Sequence, residues 1–141
     1  MFNKDCFLDH VAIAVSDLDR AQKVYEDLGL TFNHEREVVE SQKVTTSFAS
    51  INEMAHIELV CPLNKEGPIQ KFIEKNGEGI HHLCFKVTDV LKKSEEMKAL
   101  GHKLVYQDPI IGANNCLVNF IHPKSTGGVL IEISQTIVHK D

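Results

Sequence analysis

No stretch of the chain is apolar for anything near the roughly 20 residues that a membrane-spanning helix requires. Basic residues number 15 against 20 acidic ones, a formal net charge of −5. They are scattered rather than gathered into a stripe, which argues against a nucleic-acid-binding surface. Cysteine is sparse. Cys6, Cys61, Cys84 and Cys116 stand far apart, with no CxxC spacing and no secretory context. That pattern argues against a disulfide framework and predicts buried, reduced thiols in a reducing cytoplasm. The opening residues, MFNKDCFLDH, carry an acidic residue where a signal peptide would run apolar, so no targeting segment is expected. Nothing in the chain is low-complexity.

What the chain does have is a repeat. LDHVAIAV near the start returns as GIHHLCFKV at residues 79–87. His10 matches His82, Asp17 matches Asp89 and Gly29 matches Gly101, each at the same offset (82−10 = 89−17 = 101−29 = 72). Three matches in one register, across a strand, a turn and a helix end, indicate one supersecondary unit used twice. A length of 141 residues is one domain's worth, and 43% hydrophobic residues can bury a shared core. The expected organisation is a single domain over 1–141, made of modules 7–62 and 79–135 joined by a connector at 63–78.

Phe7 to Val15 alternates as a half-buried strand does. Val11, Ile13 and Val15 point one way, His10, Ala12 and Ala14 the other. Ser16 or Asp17 can cap a helix from Leu18 to Leu28, stopped by Gly29. Strands are expected over Thr31–Val39, Lys43–Ile51 and Ala55–Cys61. In the connector a short helix starts near Pro68. The second module repeats the pattern: strand Gly79–Val87, helix Asp89–Leu100, then strands Lys103–Gln107, Asn115–His122 and Gly128–Ser134. From Gln135 a loosely held tail is predicted. Each module is β-α-β-β-β, too little to bury both sheet faces alone. The expected fold is α+β, with paired modules forming a curved, mostly antiparallel sheet around a metal-binding cleft. Bulky faces (Val11, Ile13, Val15; Leu83, Phe85, Val87) suit packing under the helices. The small residues beside each histidine, Ala12, Ala14 and Cys84, suit a cavity wall.

The last strands of the modules also correspond. Ile57-Glu58-Leu59 and Ile131-Glu132-Ile133 each set a lone carboxylate between bulky neighbours, 48 residues after His10 (58−10) and 50 after His82 (132−82). Pseudo-twofold symmetry would gather His10, Glu58, His82 and Glu132. A carboxylate among apolar strand residues is costly unless paired or metal-bound. Two imidazoles and two carboxylates suit a divalent ion such as Co, Mn, Ni or Zn. Such an ion polarises a carbonyl and stabilises an enolate while a neighbouring carboxylate removes the proton. His81 lies on the opposite face from His82. His34, His56, His102, His122 and His139 lack a symmetric partner and are assigned surface or local structural roles, with His56 and His122 also adjoining the last strands. Lys65 and Lys124 read as solvated lysines.

The segments DHVAIAV (9–15), IELVCPL (57–63), GIHHLCFKV (79–87) and NFIHPKSTGGVLIEIS (119–134) carry a resemblance to the vicinal oxygen chelate superfamily, which includes glyoxalase I. Within it the chain looks most like the methylmalonyl-CoA epimerases, over about Leu8 to Gln135. HVAIAV marks only the superfamily, whereas HPK followed by GGVLIE is more specific to the epimerase. The resemblance implies a glyoxalase fold, a divalent metal, a homodimer and interconversion of (R)- and (S)-methylmalonyl-CoA by α-proton abstraction through a metal-stabilised enolate. It places the metal ligands on His10, His82 and Glu132, with Glu58 near the metal where the family has Gln or Glu. It makes Glu132 one acid/base group. Some epimerases carry a second catalytic Glu after a Gln-x-Val turn; here that segment is Gln42-Lys43-Val44-Thr45-Thr46, and Thr46 cannot act as a base at neutral pH. Glu58 or a metal-bound water is then left to serve the second face, while Glu40 falls in the turn.

Two other functions fit parts of this pattern. Glyoxalase I of the bacterial type uses a His, Glu, His, Glu set, which Glu58 matches. A non-catalytic small-molecule-binding protein of the resistance type would be marked by loss of the metal set, and all four positions are retained. HPKSTGGVLIE and the connector PLNKEGPIQKFI favour the epimerase.

Overall fold

The structure is a computed structural model that describes residues 3–138. His139, the first two residues and the end of the predicted tail lie outside the described residues. The chain divides into two compact units, His10–His81 and Met1–Asp9 with His82–Asp141. No described helix is long and apolar enough to cross a membrane.

The N-terminal unit holds the His10–Ala14 part of β1 (Cys6–Ala14), then α1 (Leu18–Leu28), β2 (Glu37–Val39), β3 (Val44–Ser50), β4 (His56–Pro62) and α2 (Pro68–Asn76). Its strands run in the order β2-β3-β4-β1. β2–β3 and β3–β4 are antiparallel, and β1–β4 is parallel. The parallel pair needs a long crossover, and the chain provides one by running α1, β2 and β3 between its partners. Helix α1 begins where Asp17 accepts the Arg20 backbone N–H at 3.1 Å. It ends at Gly29, whose φ of 112° is left-handed. Its inner side packs Leu18, Ala21 and Tyr25 onto Ile13, Val15, Phe32, Ile57 and Leu59. Leu59 is fully buried, a position worth roughly 1.5–3 kcal/mol of transfer free energy. Val24 and Leu28, although at helical spacing with these residues, are 60% and 74% exposed.

Two expectations for this unit change. Thr31–Val39 is not one strand: Phe32 makes a single bridge to Ala49, and the ladder resumes only at Glu37. Between them Arg36 turns out to meet Asp19 and Gln22 of α1, so side-chain bonding to the helix replaces strand pairing. The small-residue face is also not open along its length. Ala14 packs with Val44, Val60 and Ile69, beside Phe72 and Ile73 of α2. The connector helix needs somewhere to bury its apolar side, and the alanine leaves the depth to receive it.

The C-terminal unit holds β5 (Gly79–Val87) from His82 onward, α3 (Val90–Ala99), β6 (Ile110–Ile111), β7 (Cys116–Ile121) and β8 (Leu130–Thr136). The strand order is β5-β8-β7-β6. Pairings repeat the first unit: β5–β8 parallel, β7–β8 and β6–β7 antiparallel. The β-α-β-β-β order expected for each module is present in both. Asp89 caps α3 by accepting from the Lys92 N–H at 3.0 Å. Val87, Val90, Leu117 and Ile133 pack beneath that helix.

Lys103–Gln107 is not a strand. Leu104 bridges Ile121, but Tyr106 donates its N–H to the side chain of buried Asn119, which in turn donates to Ser94 and to the Tyr106 carbonyl. A buried amide thus takes over the ladder's bonds and ties this segment to α3. The short strand beside β7 is Ile110–Ile111, which the sequence reading missed between Pro109 and Gly112. Gln135 does not begin a tail: β8 runs on to Thr136, and the Gln135 side chain accepts the Val90 N–H at 2.9 Å.

Candidate active site

In an antiparallel pair, directly opposite residues share a face, and a strand returns to that face every second residue. Following the register in the N-terminal unit gives the face of His10. Ala12 is opposite Glu58 and Ala14 opposite Val60; Phe48 is opposite Glu58, and Thr46 opposite Val60. His10 and Glu58 therefore lie diagonally across β1 and β4 on one face. His10 Nε2 is 2.8 Å from Glu58 Oε2, with both side chains under 10% exposed.

The C-terminal unit builds the same thing. Cys84 is opposite Glu132, and Phe120 opposite Glu132. His82 Nε2 lies 3.0 Å from Glu132 Oε1, with side-chain exposures of 10% and 13%. All four residues singled out from the sequence thus sit in His–carboxylate pairs, one pair per unit, with His10, Glu58 and His82 buried and Glu132 half-buried. Each pair is floored by small residues: Ala12 and Cys84 are both fully buried.

One pair of residues escaped the sequence reading. Phe48 stands edge-on to His10 and Phe120 edge-on to His82, each with ring centroids 6.0 Å apart and an interplanar angle of 89°. The signal was available, because 120−48 is again 72. These rings fix the imidazole planes through the aromatic edge-to-face preference.

The remaining histidines fall largely where expected. His81 packs edge-on against Phe72 of α2 at 4.9 Å between centroids. His122 Nδ1 accepts the Lys124 N–H at 3.0 Å, capping the turn before β8. His34 is exposed. Lys65 and Lys124 are exposed, and Glu40 is in a 3-10 turn at Glu40–Gln42. No disulfide forms among the four cysteines. Burial pushes the Cys61 thiol up, with the Asp17 charge adding to it, which makes it a poor nucleophile at neutral pH.

The donor chemistry of these pairs fits a divalent cation. Imidazole nitrogen and carboxylate oxygen are the ligands that Zn, Co, Ni and Mn share. Adjacent ligands about 2.1 Å from one ion stand about 3.0 Å apart around an octahedron, close to the 2.8 and 3.0 Å separations seen within the two pairs.

Residues 9–120 match the family model of the glyoxalase/bleomycin resistance protein/dioxygenase superfamily, and the chain belongs to that superfamily. Relatives to which it is similar include methylmalonyl-CoA epimerases. The chain is 38% identical over 131 residues to ethylmalonyl-CoA/methylmalonyl-CoA epimerase of Cereibacter sphaeroides, covering 91% of this chain and 96% of that one. It resembles the crystal structure of methylmalonyl-CoA epimerase from Mycobacterium tuberculosis at a TM-score of 0.85 and 38% identity, over 93% of this chain and 88% of that one. A methylmalonyl-CoA epimerase in complex with methylmalonyl-CoA and NH4+ is similar at a TM-score of 0.86 and 30% identity, over 93% and 94% of the two chains.

Proposed function

We propose that this protein is a metal-dependent epimerase that interconverts (R)- and (S)-methylmalonyl-CoA. The observation that carries the reading is the duplicated His–Glu pair, found in a chain 38% identical to an epimerase across 91% of its length. His10, Glu58, His82 and Glu132 together hold one divalent ion, and the substrate is an acyl-CoA. A homodimer is the expected assembly.

The α-carbon of methylmalonyl-CoA carries an acidic hydrogen because a thioester carbonyl and a carboxylate flank it. When bound, the ion supplies Lewis-acid polarisation of substrate oxygen, which favours charge on the enolate over charge on the α-carbon. Glu132 is the base on one face: it removes the α-proton as a carboxylate, and as the acid it returns a proton to that face in the reverse direction. The edge of Phe120 restrains the His82 imidazole, whose Nε2 lies 3.0 Å from Glu132. His10 and Glu58 stand in the same relation at 2.8 Å, and Glu58 is both a ligand and the candidate acid/base for the second face. The buried faces exclude water, so the deprotonated α-carbon is not reprotonated at random from solvent.

Incubating purified protein with methylmalonyl-CoA in deuterated water tests this. Deuterium enters the α-position and the epimers interconvert. Absence of exchange, together with turnover of the hemithioacetal of methylglyoxal and glutathione, would replace the reading with glyoxalase I.

A further inference from the structure

The face of the C-terminal sheet that carries Glu132 runs on into a polar cluster. Ser134, the next residue of β8 on that face, is directly opposite Lys86 of β5. Thr136, the next again, is directly opposite Cys116 of β7. Lys86, Ser134, Thr136 and Cys116 therefore share one face. The Lys86 ammonium donates to Thr136 Oγ1 at 2.9 Å and to Cys116 Sγ at 3.7 Å. No carboxylate among the described residues pairs with it. Cys116 is a free thiol, buried at 7% exposure, and its Sγ lies 3.5 Å from the Asn114 carbonyl.

The fold does not require this pair. Lys86 and Cys116 match Ala14 and Val44 at the repeat offset (86−14 = 116−44 = 72). Ser134 matches Val60 at the offset that relates Glu132 to Glu58 (134−60 = 132−58 = 74). In the N-terminal unit those three matching residues form an apolar cluster with Ile69 of α2. The C-terminal unit thus sets a nucleophilic sulfur beside a nitrogen where hydrocarbon serves the other copy of the repeat. Asn115, which precedes Cys116, and Thr136, opposite it, are both exposed, so a small solute has a short path to the sulfur. Cys61 has a different setting: its Sγ meets the Ser16 and Pro62 carbonyls rather than an ammonium.

We propose that Cys116 is a peroxide-reactive thiol and that Lys86 is the nitrogen that resolves it into a reversible sulfur–nitrogen bridge. The thiolate is the reacting form. Its electron pair attacks one oxygen of hydrogen peroxide, and the O–O bond breaks. The leaving hydroxide takes a proton from the Lys86 ammonium and departs as water, which leaves a sulfenic acid beside a neutral amine. The amine lone pair then attacks the sulfur, the S–O bond breaks, and hydroxide leaves with one amine proton as a second water. Sulfur has lost two electrons and the peroxide has gained them. The flexible four-carbon stem lets the Lys86 nitrogen close from 3.7 Å onto the sulfur without displacing a strand. Without a resolving group, further peroxide carries a sulfenic acid to sulfinic and sulfonic acids, which thiols do not reverse. The bridge joins β5 to β7 across β8. Those are the strands that carry His82 and Phe120, whose rings meet edge-on at the site.

The test treats the full chain as purified with hydrogen peroxide, in a Cys6→Ser background that removes the exposed thiol. Peptides are mapped by mass spectrometry before and after dithiothreitol. The expected product joins the Lys86 peptide to the Cys116 peptide with loss of two hydrogens. It resists tryptic cleavage after Lys86 and reverts on reduction. Cys116→Val, which installs the residue of the matching position, abolishes the bridge. Lys86→Arg keeps the positive charge and also abolishes it, and Cys116 then accumulates as sulfinic acid that dithiothreitol no longer restores. Absence of the bridge in the Cys6→Ser protein overturns the proposal, whether Cys116 stays reduced, stops at sulfenic acid or oxidises further. So does a Cys116 link that persists in Lys86→Arg. Because that first map needs neither the Cys116 nor the Lys86 variant, a variant that fails to fold leaves the outcome decided.

Discussion

Glu132 Oε1 sits 3.0 Å from His82 Nε2 on a parallel pair of strands, held there by backbone register rather than by a loop. A carboxylate so fixed cannot be replaced by a neutral amide without losing proton transfer. Glu132→Gln is expected to lower epimerisation by about 100-fold or more, with the secondary structure intact by circular dichroism. Activity within a few-fold of wild type would remove Glu132 from the chemistry.

Thr46 is buried, but its hydroxyl serves only a long 3.4 Å bond to the Glu37 carbonyl. Thr46→Ala is expected to cost about 0.5–1.5 kcal/mol of stability and to change kcat by no more than a few-fold. Denaturant titration and initial rates measure the two. A loss of activity as deep as that of Glu132→Gln would mean that the hydroxyl itself takes part in catalysis.

Purified protein is expected to carry about one divalent ion per chain, and exhaustive chelation to abolish epimerisation until Co, Mn, Ni or Zn is restored. Binding to the native state alone stabilises it by mass action, by about 2.7 kcal/mol at 100 times the dissociation constant, and so raises the unfolding midpoint. His10→Ala removes one side of a buried pair and should lose both the ion and that shift. Full activity in protein stripped of metal, verified by elemental analysis, would overturn the metal assignment.

Gly67 precedes Pro68 at the start of α2, with φ of 91° and the position of a Cβ only 2.7 Å from Lys43 Cβ. Gly67→Ala combines left-handed strain with a clash, and about 1–3 kcal/mol of destabilisation is expected. Because α2 covers Ala14, Val44 and Val60, proteolysis or hydrogen exchange should rise first across residues 68–76. An unchanged denaturation midpoint would show that Lys43 can move aside at no cost.

The strands and helices with a strong period were legible in sequence. The α1 and β5 ranges, Leu18–Leu28 and Gly79–Val87, coincide with the expected ones because Asp17, Gly29 and the alternation of GIHHLCFKV each act locally. The four His and Glu residues were legible because the repeat doubles the signal. What stayed hidden depends on partners distant in sequence. The 103–107 segment reads as a strand until Asn119 takes its hydrogen bonds. Ala14 reads as a cavity wall until α2 lands on it.

The parallel pairing of first and last strands has a kinetic side. His10 aligns with His56 and His82 with Leu130, so each His–Glu pair closes a loop of nearly fifty residues, whereas β3–β4 and β7–β8 are hairpin neighbours. Loop-closure entropy makes the local hairpins form early and the parallel pairings late. The ligand-holding geometry is then among the last features to assemble on the folding route, so an ion that needs both members of a pair slows unfolding far more than it speeds folding.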